Sequence, residues 1–137
     1  MIKIKIKCIS TTFQGVNNFQ NEKVYYDLVK PIDYDFCLEV GQYYYLLGLI
    51  TVSGTPWLYV TSCQELSEIR IIPAILFNID WSLIPNNWCI RLIESTKQFE
   101  ILPNKLAKIS NWFEKYVDED EKILQIVQEL REELNNH

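Results

Sequence analysis

The chain opens on a hydrophobic-polar alternation of period two, with Ile2, Ile4 and Ile6 set against Lys3, Lys5 and Lys7. Successive side chains of extended backbone point to opposite faces, so the isoleucines share one face and the lysines the other, which predicts a strand. Lysines turned to solvent discourage edge-to-edge pairing if this strand lies at a sheet margin. Residues 10–21 turn polar around Gly15 and Asn17-Asn18 and read as a loop. Residues 22–30 alternate again and predict a second strand, stopped at Pro31, which cannot donate to a ladder.

The clearest pattern runs from Phe36 to Ser62. Two β-rich runs, 36–52 and 57–62, flank Ser53-Gly54-Thr55-Pro56, and Gly54 supplies the positive φ that a tight hairpin wants. Gly41 and Gly48 mark a turn or bulge dividing the long first run. Residues 43–52 are almost continuously apolar, as in a central strand covered on both sides. Ile69-Arg70-Ile71-Ile72 reads as a strand interrupted by Pro73, and residues 74–77 fit either a strand or a short buried helical turn. Pro85-Asn86-Asn87 is a turn, and residues 88–93 and 98–102 are two strands that pair across a second turn at 94–97.

After Pro103 the period changes. Asn104 is placed as an N-cap, with Leu106, Ile109, Phe113 and Val117 at helical spacing behind it. Asp118 is placed as the cap of a second helix whose stripe is Ile123, Val127, Leu130 and Leu134. Strands followed by helices predict one α+β domain over residues 1–137: a mostly antiparallel sheet of about five to seven strands within 1–103, and two C-terminal helices from 104–137 packed on one face.

Composition narrows the chemistry. A chain of 137 residues with 48% hydrophobic and 13% aromatic content forms a packed core without needing a disulfide or metal. Cys8, Cys37, Cys63 and Cys89 are widely spaced with no C-x-x-C pair, which reads as free buried thiols. The only histidine is His137 at the chain end, which argues against His-dependent triads and His-containing zinc sites, and no cofactor is expected. Gly15, Gly41, Gly48 and Gly54 form no phosphate-cradling motif. No membrane-length apolar run and no signal-type leader is present, so the reading is cytoplasmic. Two carboxylate neighbourhoods could serve sugar chemistry, Asp33-Tyr34-Asp35 and Asp80-Trp81, though an acidic aromatic surface reads the same way.

Charge is distributed unevenly. The formal net charge is −5, and residues 118–137 hold seven acids against Lys122 and Arg131, so all of it belongs to the last helix. With a pI near 4.9, nucleic acid is not an expected partner. An acidic patch steers basic partners, and Trp and Tyr are favoured interface anchors. The candidate partner-binding residues are therefore Asp118, Glu119, Asp120 and Glu121 for steering, with Trp57, Tyr59 and Tyr34 as anchors.

The run Trp88-Cys89-Ile90-Arg91-Leu92, then Phe99-Glu100-Ile101-Leu102-Pro103 leading into acidic C-terminal helices, resembles the immunity proteins of bacterial contact-dependent inhibition and related polymorphic toxin systems. The resemblance spans about the last fifty residues and carries no functional residue across. It implies a stoichiometric inhibitor that caps the C-terminal domain of a secreted toxin. Two rivals stand beside it: a small carboxylate-based enzyme or ligand binder, and a homo-oligomeric structural subunit. An inhibitor wants an acidic docking surface, an enzyme a concave pocket around a carboxylate, and a structural subunit an apolar patch facing its own copy.

Overall fold

The computed structural model describes residues 3–17, 19–64 and 68–135. Ile2 of the opening alternation and His137 therefore lie outside the described residues. The elements are β1 (Lys5–Cys8), α1 (Glu22–Leu28), β2 (Tyr43–Val52), β3 (Thr55–Ser62), β4 (Arg70–Pro73), β5 (Phe77–Asn78), β6 (Cys89–Ile93), β7 (Gln98–Leu102), α2 (Asn104–Ala107), α3 (Trp112–Val117) and α4 (Glu121–Asn135). The result is a mixed α+β fold with a seven-stranded sheet in which every described pairing is antiparallel.

The sheet is organised around β2. One edge of β2 pairs with β3 along its length. The other edge is shared: its first residues pair with β1, and Leu49 and Ile50 pair with β7. The sheet thus forks, carrying β1 and β5 on one branch and β7 and β6 on the other. The β2–β3 turn is Ser53-Gly54, both at positive φ (49° and 77°), a two-residue connection whose twist suits the strands it joins. Gly41, at φ 87°, forms the turn that leads into β2 and ends the preceding irregular stretch.

Both faces of the sheet are covered. Tyr44, Leu46, Leu49, Leu58 and Val60 join one core with Ile4, Ile6, Phe13 and Tyr25. Tyr45, Leu47, Ile50 and Tyr59 join a second core with Leu106, Trp112 and the α4 stripe Ile123, Val127, Leu130 and Leu134. A bulge makes the two cores consistent. Leu46 pairs with Val60 and Gly48 with Tyr59, so Leu47 is an extra residue. Without it, Leu49 and Ile50 would exchange faces.

Four expectations are corrected. Residues 22–28 are helix, not strand: Tyr25 packs beneath Phe13 (ring centroids 5.3 Å apart) within an aromatic group that includes Phe19, Tyr26 and Phe36. Seven residues are too few for periodicity to outvote that packing. The helix expected from Asn104 to Val117 is broken, because Asn111 adopts a left-handed conformation at φ 55°. The break re-phases the stripe, burying Trp112 and leaving Val117 exposed. Asp118 closes α3, and the cap of α4 is Asp120, whose carboxylate accepts the backbone N–H groups of Lys122 and Ile123. The four cysteines are free, but only Cys8 is fully buried, and Cys37 is exposed.

Pro73 sits in β4, where it is tolerated because β4 is an edge strand paired only with β3. Residues 74–76 form the short helical turn and residues 77–78 the strand, so both readings of that segment find a place.

A Cβ added to Gly48 would lie 2.7 Å from Leu102 Cδ2 and 3.1 Å from both the Ile101 carbonyl oxygen and Tyr59 Cδ2. Gly48→Ala is therefore expected to destabilise the fold by about 1–3 kcal/mol through overpacking, read from urea unfolding midpoints. An unchanged midpoint would show that the bulge is free to relax.

Candidate functional site

The β6–β7 hairpin has two chemically different faces. Its register sets Arg91 opposite Glu100, Ile90 opposite Ile101 and Leu92 opposite Phe99. Alternation then puts the charged pair on one face and the apolar pairs on the other.

On the charged face Glu100 is 3% exposed. One carboxylate oxygen accepts from Arg91 Nε (3.2 Å) and Nη2 (2.9 Å), and the other accepts the Tyr59 hydroxyl (2.6 Å). Arg91 Nη1 donates to the carbonyls of Ala107 (2.8 Å) and Ile109 (2.7 Å), where α2 ends. The three side chains tie β3, β6 and β7 to the link between α2 and α3. Burial, followed by the bond to Glu100, holds the Tyr59 phenol well above its ordinary range. Burial likewise pushes Tyr25, whose hydroxyl donates to the Pro56 carbonyl, up to about 12.

This network floors a cleft of ≈ 480 Å³ that is also lined by Gln98, Ser110, Trp112, Phe113 and Glu114. Chemically the floor is closed on itself: both carboxylate oxygens are occupied and the phenol proton is committed to Glu100. No histidine or cysteine lines the cleft. A cation would find its carboxylate already neutralised by Arg91, and among the described residues no three of His, Cys, Asp or Glu converge to ligate a metal.

The opposite face of the hairpin is bare. Ile90 is 72% exposed, Leu92 47% and Phe99 49%. Ile101 is half-buried against the first core, so these side chains continue that core outward past the point where its cover ends. Phe99 N–H donates to Thr51 Oγ1 and Gln98 Nε2 to the Thr51 carbonyl, which stitches the start of β7 to the end of β2.

The residues singled out from sequence are scattered. Tyr59 is 1% exposed, with its ring 4.8 Å from that of Trp112, so it is a core residue and offers no anchor to a partner. Trp57 is half-buried against both cores, and its indole N–H donates to Thr55 Oγ1. Tyr34 is exposed and its ring meets Phe36 at 4.8 Å. Asp118, Glu119, Asp120 and Glu121 are all exposed at the α3–α4 turn, and no cation among the described residues pairs with them. Nothing described brings these acids into contact with the three aromatics. Asp35 and Asp80 prove to be turn-formers. The hydroxyl of Thr11 and the backbone of Cys37 hold the Asp35 carboxyl below its usual range, and Ser82 does the same for Asp80.

The Arg91–Glu100 pair was missed, although the sequence carried a signal for it. Each is the one charged position in its apolar strand, and each stands the same distance from the 94–97 turn. Compared with known proteins, the chain matches no family model, no curated protein and no solved structure. Among the described residues no helix is long and apolar enough to cross a membrane.

Glu100→Ala is expected to destabilise the fold by about 3 kcal/mol, because it removes the counter-charge of a largely buried guanidinium and leaves Arg91 Nε and Nη2 and the buried Tyr59 hydroxyl without their acceptor. Equilibrium urea unfolding reads this, and a loss under about 1 kcal/mol would contradict it. Alkaline stability follows from the phenols. An ordinary phenol loses its proton near 10.0, whereas folded Tyr25 and Tyr59 keep theirs. Above that pH the unfolded chain binds fewer protons than the native one, so stability falls as pH rises. Tyrosinate absorbance during alkaline titration should show both phenols ionising only as the fold opens.

Proposed function

We propose that this chain acts by binding protein, as a stoichiometric neutraliser of the C-terminal domain of a secreted toxin. The observation that carries the protein-binding half is the contrast between the hairpin's faces. The buried ionisable groups of the cleft floor, Tyr59, Arg91 and Glu100, are engaged with one another, while apolar side chains stand bare on the other side. A contiguous exposed apolar surface is the usual mark of a protein contact. The toxin half rests on the sequence resemblance and is supported by the four exposed carboxylates of the α3–α4 turn, none of which meets a cation among the described residues, which suits a basic target.

The rival enzyme reading draws on the same cleft, but it needs a carboxylate that is free to accept or deliver a proton. The buried carboxylate there, Glu100, is held by three donor atoms instead, and the other carboxylate of the lining, Glu114, stands exposed at the rim with no buried group to act beside it.

The test is protection. The C-terminal toxin domain of a secreted protein encoded beside this chain is expressed in a susceptible host with and without it; survival only in its presence is expected. Asp118→Lys, Glu119→Lys and Glu121→Lys together, sparing the helix cap Asp120, should slow association with that domain by about tenfold or more at low salt. An unchanged on-rate would remove the acidic turn from the account, and death of the protected host would remove the toxin.

A further inference from the structure

We propose that the open edge of β6 pairs with β6 of a second copy of this chain, joining two sheets across a two-fold axis at Arg91. This inference rests on the reading of the hairpin as a protein-docking surface and names its occupant. It leaves the acidic turn of each copy for the toxin.

Three observations converge on the second copy. First, the edge is open. β6 pairs only with β7, and among the described residues no backbone group of 89–93 has a hydrogen bond outside that ladder. Natural edges are usually blunted by outward charges, proline or a cover, and the side chains flanking this one on its bare face are Ile90 and Leu92.

Second, the strand is its own complement. Cys89-Ile90-Arg91-Leu92-Ile93 reads nearly the same in both directions: two apolar residues, a charge, two apolar residues. A two-fold interface requires such self-complementarity. Antiparallel pairing centred on Arg91 sets Ile90 of one copy against Leu92 of the other, so the bare rows of both hairpins merge on one face. The two arginines that meet at the axis point to the opposite face, where each is neutralised by its own Glu100 at 2.9 Å. The like-charge clash that would forbid this register is thus already answered within each copy.

Third, the size fits a modest dimer. Ile90 and Leu92, 72% and 47% exposed, meet the Leu92 and Ile90 of the other copy side by side across the seam, while Phe99 on β7 lies one strand further out. The seam is one five-residue strand edge per copy with these lateral contacts, which places it in the small, transient class of interface. Micromolar association is expected rather than an obligate dimer.

Sedimentation equilibrium of the isolated chain tests this without any toxin. The wild type is expected to shift from monomer to dimer as concentration rises through about 10–100 μM. Ile90→Lys and Leu92→Lys should each stay monomeric while keeping the wild-type melting temperature, since both positions are already exposed. In a Cys37→Ser background, I90C mixed with L92C should oxidise to a crosslinked dimer more readily than either alone. A wild type that is monomeric at 1 mM, or lysine variants that still dimerise, would overturn the proposal. Equal crosslinking of I90C alone and of the mixture would overturn the register. None of these outcomes bears on the protection assay, so the two readings fail separately.

Discussion

A carboxylate taken out of water costs several kcal/mol unless a cation and hydrogen-bond donors replace the water it loses. Glu100 meets that condition through Arg91 and Tyr59, and the C-terminal half of the molecule is arranged around the solution. Tyr59 comes from β3, Arg91 from β6 and Glu100 from β7. The remaining nitrogen of Arg91 reaches the carbonyls where α2 stops. One buried charge therefore sets how the second branch of the sheet joins the first and where the helical layer turns.

The brace also determines what each face of the hairpin can do. Because alternation is strict along paired strands, placing Arg91 and Glu100 inward forces Ile90, Leu92 and Phe99 outward. The bulge at Leu47 and Gly48 has the same kind of consequence for β2, resetting the alternation so that Leu49 enters the first core and Ile50 the second. Chemistry engaged inward and apolar surface offered outward are the two features on which the proposal of a binding protein rests. The acidic turn between α3 and α4 is a separate surface, and in the proposal it carries the long-range field toward a basic target while the hairpin edge meets a second copy.

Much of the fold was legible where local pattern and tertiary demand agreed. Residues 43–52 showed their double burial as an unbroken apolar run, Gly54 its turn, and residues 89–93 and 98–102 their pairing. Legibility failed where a long-range contact decided the matter. Tyr25 drew residues 22–28 into a helix by packing with Phe13 and Trp57, both distant from it in the chain. The left-handed Asn111 divided a helix whose spacing looked continuous, and so exchanged Val117 for Trp112 in the core. At the candidate site the exposed acids were visible as a charge run, but Tyr59 was read as an anchor because propensity cannot tell a core tyrosine from an interface one. The brace needed strand register before Arg91 and Glu100 could be seen to face each other.

Amide hydrogen exchange of the chain, measured alone and with the toxin domain that survives the protection test as its proposed partner, tests the central claim that binding uses the outer surface and not the cleft. The account predicts slowed exchange at the α3–α4 turn around 118–121, with the cleft-lining segments 95–98 and 110–114 unchanged. Protection confined to those cleft segments would contradict it and return Glu100 and Tyr59 to the centre of the function.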